Sequence, residues 1–323
     1  MKQIKKFDNN ASFEAYKGGN IEYTVITSVK EKPYILTPPV IYYTTTDGNQ
    51  INDTNTGLQD YIISHTKEDN GIFKIVLKDT MTSIPDNCFR EYTTLKTIQF
   101  KYLDNVISIG NYFLYNCTSL QSVDLSGLSK VTSIGNTSLS YCSSLQSIDL
   151  SGLSKVTSIG NGFLAYCTSL QSVDLSPLSK VTSIGTNFIY GCTSLQSIDL
   201  SPLSKVNSIG TYFLGGCTSL QSVDLSGLSN VNSIPSYFLY YCSSLQSIDL
   251  SGLSKVTSIS TYFLANCTVL KTAIMPNTTG ITSIGTNYFN ACSQLTAIYC
   301  PKGTLDKYKS LMSTRASIMV ELS

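Results

Sequence analysis

The stretch Cys117–Gly135, CTSLQSVDLSGLSKVTSIG, returns in near-copies that begin at Cys142, Cys167, Cys192, Cys217 and Cys242, with a period of 25 residues. Within Leu120–Ser126, apolar and polar side chains alternate, which is typical of a half-buried β-strand. A strand that recurs at a fixed phase pairs in parallel with its copy in the next turn, and connections between parallel strands are right-handed. The stretch therefore predicts one repeat solenoid rather than several globular domains.

The length of the predicted solenoid follows from the leucine that opens each strand. At about 4.8 Å between neighbouring strands, nine turns give a ladder about 43 Å long. One turn cannot bury its apolar face alone, so neighbours must stack on it and both ends need covers. The leucines of the nine turns are Leu95, Leu120, Leu145, Leu170, Leu195, Leu220, Leu245, Leu270 and Leu295.

Composition argues against several kinds of partner and location. The formal net charge is +1 and 13% of residues are charged, so we expect no nucleic acid partner. No apolar run approaches the roughly 18 residues of a membrane span, and we expect no membrane insertion. The opening MKQIKKFDNNASFEAYK has basic residues without a following apolar region, so we expect no signal peptide and a virion or cytoplasmic location.

Eight of the ten cysteines occupy one phase of the repeat, beside apolar positions. This spacing is typical of small buried core residues, and we expect free thiols rather than disulfides. The sequence contains no CxxC or C-x-H pattern, so we expect neither a zinc site nor another cofactor.

The pattern L-x-x-[VI]-x-L resembles the leucine-rich repeat signature, and V-T-S-I-G followed by F-L-x-x-C-x-S-L resembles the BspA-like subclass. The resemblance covers about residues 70–300. Ile41–Ile51 (IYYTTTDGNQI) and Ile298–Met312 (IYCPKGTLDKYKSLM) resemble entry and exit caps of such proteins from gut Bacteroidales or their phages. The resemblance implies a BspA-like leucine-rich repeat solenoid, capped at both ends, that serves in adhesion at a cell surface.

Four segments are predicted on this basis. Residues 1–45 form an N-terminal arm with a short helix, a stop at Gly18-Gly19 and a strand, which we interpret as a docking segment. Residues 46–69 form the N-terminal cap, and residues 70–300 form the solenoid. Residues 301–323 form the C-terminal cap, with a short helix over Leu305–Met312 that covers the last turn.

Variation between repeats concentrates around the Phe-Leu pair that precedes each cysteine. The residues there are mainly Tyr, Ser, Gly, Asn, Ala and Thr, a set similar to that of antibody paratopes. Two interpretations stay open: a recognition surface, or fillers on an outer turn that tolerates drift. The candidate ligand-binding tyrosines are Tyr190, Tyr212, Tyr237, Tyr240, Tyr241 and Tyr262.

A second candidate surface is the strand face, where one aspartate per turn forms a column. Asp174, Asp199 and Asp224 lie at its centre and are candidate ligand-binding residues. Neighbouring carboxylates repel one another, and a calcium ion could relieve that repulsion. The alternative is a solvated column balanced by the lysine that follows each aspartate by six residues in most repeats.

The sequence carries no constellation that favours catalysis. The only histidine, His65, lies in the polar stretch SHTKEDN, where we expect a solvated loop residue without a catalytic partner. We therefore expect no enzyme. Two functions fit: a recognition and adhesion module for a protein or glycan, or a structural or host-attachment component of a Bacteroidales phage virion. In the second, residues 1–45 would mediate docking on the particle or self-association into a homo-oligomer.

Overall fold

The computed structural model describes residues 13–15, 23–25 and 37–322. The chain divides into two compact units, residues 1–38 and 39–323. In the first, β1 (Phe13–Ala15) pairs with β2 (Tyr23–Val25) in an antiparallel sheet. The strand predicted after Gly19 matches β2, but Phe13–Ala15 lies in a strand where a helix was predicted. The rest of that predicted helix lies outside the described residues.

The second unit opens with an antiparallel sheet formed by β3 (Val40–Thr45), β4 (Ile62–Lys67) and β5 (Phe73–Leu77). Strand β3 lies between β5 and the first long strand of the repeats, and pairs antiparallel with both. Its inward side chains are buried, as the alternation of the sequence requires. This sheet therefore closes the first turn of the stack and is the N-terminal cover that an open solenoid needs.

The repeats contribute short strands to two parallel ladders. In chain order the remaining strands are β6 (Ser83–Ile84), β7 (Leu95–Lys101), β8 (Ser108–Ile109), β9 (Ser122–Asp124), β10 (Ser133–Ile134), β11 (Ser147–Asp149), β12 (Ser158–Ile159), β13 (Ser183–Ile184), β14 (Ser208–Ile209), β15 (Ser233–Ile234), β16 (Ser247–Asp249), β17 (Ser258–Ile259), β18 (Thr272–Ile274), β19 (Ser283–Ile284), β20 (Ala297–Cys300) and β21 (Met319–Glu321).

Ladder A is the predicted parallel ladder. It comprises β7, β9 and β11, and further along the chain β16, β18 and β20, paired in parallel at a register of one repeat. Ladder B contains the Ser-Ile strands and has two runs. The first run is β6, β8, β10, β12, β13 and β14, and the second is β15, β17 and β19. The parallel pairing predicted from the period is thus confirmed, and the turns also contribute strands to a second ladder.

Both ladders are interrupted along the stack. In ladder B, the N–H groups of Gly185 and Gly210 donate to the Ile159 and Ile184 oxygens of the preceding repeat at 3.0 Å, whereas Pro235 has no N–H to donate, and β14 and β15 do not pair with each other. In ladder A, a Cβ on Gly127 would lie 2.3 Å from the Phe100 oxygen, whereas Pro177 at the same phase carries a ring. Residues 172–174, 197–199 and 222–224 form no strand apart from an isolated bridge between Asp199 and Asp224, and the last of these repeats has Gly227 rather than proline at this phase.

The core consists of columns of identical side chains. The leucines that open the ladder A strands, the Phe-Leu pairs and the cysteines are buried in every full repeat. All ten cysteines are free, and eight of them donate S–H to a carbonyl of the preceding repeat, for example Cys192 to Leu164 at 3.2 Å. The predicted burial of the cysteine column is confirmed.

The C-terminal cover is the predicted helix. Helix α1 (Leu305–Leu311) is followed by a 3-10 helix, Ser313–Ile318, and by β21, which pairs in parallel with β20. Tyr308 is fully buried and its hydroxyl donates to the Pro276 oxygen at 2.8 Å. The other short 3-10 helices are Asp53–Asn55, Ser151–Leu153, Ser176–Leu178, Ser201–Leu203 and Ser226–Leu228. Among the described residues, no helix is long and apolar enough to span a membrane.

Candidate functional site

The turn around each Phe-Leu pair has an unusual backbone. In the first complete example, Tyr112, Leu114 and Asn116 have φ values of 57°, 52° and 56°, so left-handed residues alternate with ordinary ones. The N–H groups of Tyr112 and Asn116 donate to the following repeat at 2.8 Å, and that of Leu114 donates to the preceding repeat at 2.9 Å. The turn is therefore held to both neighbours by backbone hydrogen bonds, although it belongs to neither ladder.

This backbone explains part of the variation between repeats. The positions before Phe and before Cys both have positive φ, and glycine or asparagine fills them in several repeats. These two residue types adopt the left-handed conformation at the lowest cost. The left-handed backbone thus also explains why glycine and asparagine, which are common in antibody paratopes, occur at these positions. They are Gly162, Gly191, Gly216, Asn116, Asn187, Asn266 and Asn287.

The tyrosines of these turns form one continuous row, which we call the tyrosine ribbon. Successive rings contact each other from repeat to repeat, with centroid separations from 4.4 to 6.4 Å. Tyr237 stacks on Tyr212 at 4.4 Å and on Tyr262 at 5.2 Å, with interplanar angles of 5° and 3°. The members are Tyr112, Tyr115, Tyr141, Tyr166, Tyr190, Tyr212, Tyr237, Tyr240, Tyr241 and Tyr262.

All six tyrosines selected from the sequence lie in this ribbon. The structure adds four others, Tyr112, Tyr115, Tyr141 and Tyr166, which extend it toward the N-terminal cap. These four tyrosines occupy the same positions in the repeat as the other six, and this shared phase identifies them. Selection of the densest cluster of tyrosines in the sequence misses them. Tyr241 is the most exposed, at 50%, whereas Tyr212 and its stacked neighbours are half-buried.

The ribbon also packs against its own turns. A Cβ on Gly191 would lie 2.9 Å from the Tyr166 ring, and one on Gly215 would lie 3.2 Å from Tyr190. Ala265, three residues after the ribbon tyrosine Tyr262, is fully buried. The rings therefore serve packing as well as presenting a surface, and a test of binding must keep the rings and change only their exposed atoms.

The ribbon is neutral and hydroxylated along its length. Partial burial first, and a neighbouring tyrosine second, raises the pKa of Tyr141, Tyr166 and Tyr212 above its ordinary value, so these phenols stay protonated at neutral pH. At the N-terminal end, the Arg90 guanidinium lies 5.0 Å from the Tyr112 ring centroid, within range of a cation–π contact.

The aspartate column (Asp124, Asp149, Asp174, Asp199, Asp224 and Asp249) has a structural use. In each repeat the carboxylate Oδ1 accepts the N–H of the serine two residues later at 2.8 Å. This contact closes an Asx turn at the end of ladder A. No group of three acidic, cysteine or histidine side chains suited to a metal ion occurs within the described ranges. A shallow groove of about 450 Å³ lies over Asp224 and Asp249.

The lysines expected to balance this column do not contact it. None of Lys130, Lys155, Lys180, Lys205 and Lys255 lies within 4.0 Å of a carboxylate in the part of the chain that the structure describes. The ion pair present in the column is between Asp124 and Lys101 of the preceding turn, at 2.5 Å. Balance of the column by the following lysine therefore involves no direct ion pair within the described residues, and it stays a prediction.

His65 is not the solvated loop residue that the sequence indicated. It lies in β4 with its side chain 3% exposed, and its Nδ1 contacts the Asp53 carboxylate. Its Nε2 lies 2.6 Å from the Tyr43 hydroxyl, which also accepts the Ile51 N–H at 3.1 Å. Tyr43 is 1% exposed, so this chain of hydrogen bonds ties β3 to β4 inside the N-terminal cap.

Solved structures similar to this chain include bacterial leucine-rich repeat proteins. A leucine-rich repeat protein of T. pallidum is 21% identical, covering 67% of this chain and 89% of that chain, with a TM-score of 0.39. A leucine-rich cell surface protein of Faecalibacterium prausnitzii is 17% identical, with coverages of 96% and 97% and a TM-score of 0.32. A leucine-rich repeat protein of Bacteroides ovatus is 18% identical, with coverages of 90% and 100% and a TM-score of 0.29.

No curated protein sequence matches the chain. The family description for the BspA-type leucine-rich repeat region matches residues 66–196 and 157–296, in six copies. These segments include ladder B, the strands of ladder A before β20, the Phe-Leu turns and the cysteine column. The chain belongs to the BspA-type leucine-rich repeat family.

Proposed function

We propose that this protein is a non-enzymatic recognition module that binds a partner through the tyrosine ribbon. The observation that carries the proposal is the continuity of the ribbon, which runs through the turns of seven consecutive repeats from Tyr112 to Tyr262. Leucine-rich repeat proteins usually bind proteins, and rigid tyrosines supply large contact areas at low entropic cost. Membership of the family supports adhesion rather than catalysis.

The stacking geometry favours a protein over a sugar ring at this surface. In the group Tyr212, Tyr237 and Tyr262, the rings lie nearly parallel, so the two neighbours cover both aromatic faces of the central Tyr237 and one face of each outer ring is used for stacking. What remains for a ligand is ring edges and hydroxyl groups. Those atoms suit hydrogen bonds to backbone and side-chain groups of a protein, whereas sugar recognition commonly uses an open aromatic face.

A cell-surface location is part of the proposal. The family is typically found at the cell surface, and the Faecalibacterium prausnitzii relative is described as a cell surface protein. The alternative role as a virion component, attached through residues 1–45, stays a prediction, because most of that arm lies outside the described residues.

The test keeps every ring and removes hydroxyls. Tyr212, Tyr237, Tyr240 and Tyr241 are changed together to Phe, and a control variant carries Phe at Tyr42, Tyr61, Tyr102 and Tyr299, which lie away from the ribbon. Both proteins and the unmodified chain are applied to gut bacterial cells, host matrix proteins and glycan arrays. With each lost hydrogen bond contributing about 0.5–1.5 kcal/mol, we expect the ribbon variant to bind its partner at least about tenfold more weakly.

The control variant should bind as the unmodified protein does. Equal binding by all three proteins would remove the ribbon from the binding site. Binding to glycans alone, unaffected by the ribbon variant, would contradict both the surface and the partner class. Thermal unfolding of the three proteins should coincide, because Phe retains the packing of each ring.

A further inference from the structure

A second exposed surface lies at the turn between the two ladders. There, each repeat closes a Leu-Ser-Lys-Val turn through a hydrogen bond from the Val N–H to the Leu oxygen, for example Val181 to Leu178 at 3.0 Å. Leu178 and Val181 are fully buried, so the two central residues, Ser179 and Lys180, face solvent. The same bond occurs at Val131, Val156 and Val206, and it presents one lysine per turn.

The four lysines of consecutive turns are aligned, and we call them the lysine row: Lys130, Lys155, Lys180 and Lys205. Three residues after each of them, a serine of ladder B pairs with its counterpart in a neighbouring repeat. That register places neighbouring members of the row about 4.8 Å apart at the backbone. All four side chains are exposed.

The positive charge of the row is not neutralised by contact. Within the described ranges, no carboxylate lies within 4.0 Å of these ammonium groups. The aspartate column is engaged by the serine N–H groups of its own turns. At the start of the row, the Asp104 carboxylate accepts the Ser129 hydroxyl at 2.9 Å. Like charges one rung apart repel, so an anionic ligand that spans several rungs gains by relieving that repulsion.

Neutral side chains border the row. Asn105 and Asn230 occupy the same phase one turn before and one turn after it, and each amide donates to the carbonyl of the preceding rung at 2.7 Å. Lys255, beyond Asn230, is held by the Asn230 side-chain oxygen at 2.6 Å. Exposed hydroxyl residues run alongside the row: Ser129, Ser154, Ser179, Ser204, Thr132, Thr157 and Thr182.

We propose that the lysine row is a binding site for a linear anionic glycan that carries sulfate or carboxylate groups in regular succession. The composition of the whole chain conceals this row, because a net charge of +1 averages it with the aspartates. A single line of point charges flanked by hydroxyls suits a charged, hydroxylated polymer. Proteins that bind single-stranded nucleic acid instead have aromatic side chains next to the charged groove. In each turn of this protein the lysine precedes the ladder B strand, whereas the tyrosines of the ribbon follow it.

The test uses a labelled heparin oligosaccharide as probe, with fluorescence anisotropy between about 50 and 200 mM salt. In one variant Lys130, Lys155, Lys180 and Lys205 are changed to Gln. A control of equal net charge carries Gln at Lys96, Lys271, Lys302 and Lys307, which are exposed elsewhere. We expect the affinity of the unmodified protein to fall linearly with salt on logarithmic axes, and the row variant to lose at least about tenfold.

The control variant should lose less than about threefold, because its charges are not aligned. Equal losses in both variants would reduce the effect to net charge and overturn the proposal, as would absence of binding by the unmodified protein. Neutral dextran bound as tightly as heparin, or a single-stranded oligonucleotide bound more tightly, would also overturn it. The ribbon variant should keep full heparin affinity, so this proposal and the function proposed above can fail separately.

Discussion

The aspartate column and the tyrosine ribbon recur with the same period, and both face solvent, yet their side chains are used differently. Each aspartate accepts a hydrogen bond from its own turn, at 2.8 Å in every repeat. The ribbon tyrosines contact mainly one another, and their number and position change between repeats. In this molecule, a polar residue that recurs in successive repeats stabilises the turn, whereas positions that vary between repeats form the surface whose composition can change without loss of the turn.

The largest expected effect on the free energy of unfolding comes from substitution of the aspartates. With Asp174, Asp199 and Asp224 changed together to Ala, three hydrogen bonds are lost, and we expect unfolding to cost about 3 kcal/mol less than in the corresponding Asn variant. Asn keeps the acceptor and removes the same charges. Urea unfolding of the two variants measures the difference. Equal midpoints would show that the Asx turns contribute nothing and that the column is conserved between repeats for another reason.

The next effect concerns the backbone beneath the ribbon. Gly191 has a φ of 71° and faces the Tyr166 ring, so Gly191→Ala should lower the free energy of unfolding by about 2 kcal/mol. Gly48 has a φ of 68° with open space around it, and Gly48→Ala should cost about 1 kcal/mol from the backbone alone. Urea unfolding of both variants separates ring contact from conformation. A Gly191→Ala variant no worse than Gly48→Ala would mean that the ring moves freely.

A stabilising change is expected at Thr137. It is β-branched and has a φ of 60° at the position where other repeats have Gly162 or Asn187. Thr137→Asn should therefore raise the free energy of unfolding by up to about 1 kcal/mol. Thr182→Asn is the control, because Thr182 immediately precedes β13 at a phase where Asn207 occurs naturally, and the free energy of unfolding should stay within about 0.5 kcal/mol. Destabilisation at Thr137 would contradict the backbone explanation of the variable positions.

The smallest effect is on acid stability. The Ser176 and Ser226 N–H groups lower the pKa of Asp174 and Asp224 below its ordinary value. A depressed pKa in the folded state gives stability that is present above the unfolded pKa of about 3.9 and is lost as pH falls through the folded pKa. Melting temperatures between about pH 5 and pH 3 should fall more for the unmodified protein than for the triple Asn variant. Equal decreases in melting temperature for the two proteins would contradict a contribution of the aspartate hydrogen bonds to acid stability.

Much of the fold follows from the sequence because its signals are long and repeated. The alternation in Leu120–Ser126 and the phase of Cys117 predicted ladder A and the thiol column, and the exit segment predicted helix α1. Ladder B was missed, since a two-residue strand such as Ser133–Ile134 is too short to show alternation. His65 was misinterpreted because its immediate neighbours are polar, and the register shift in β4 between Ile62 and Ser64 hides the strand alternation.

The candidate surface could be predicted in composition but not in geometry. The tyrosines were visible as a variable set, whereas the left-handed backbone was not, because Tyr112 and Leu114 are residues that rarely adopt it. The presence of Gly162 and Asn187 at the same repeat position as Tyr112 indicates a left-handed backbone there. The stacking of Tyr212 on Tyr237 depends on the exact rung spacing, which no local pattern contains.

The most direct test of the comparison is one set of binding isotherms with the partner found in the binding screen. The affinities of the unmodified protein, of the variant with Phe at Tyr212, Tyr237, Tyr240 and Tyr241, and of the variant with Asn at Asp174, Asp199 and Asp224 are measured side by side. The tyrosine variant should bind at least about tenfold more weakly and the aspartate variant should bind normally. Loss of affinity in the aspartate variant alone would place recognition on the strand face and contradict the account.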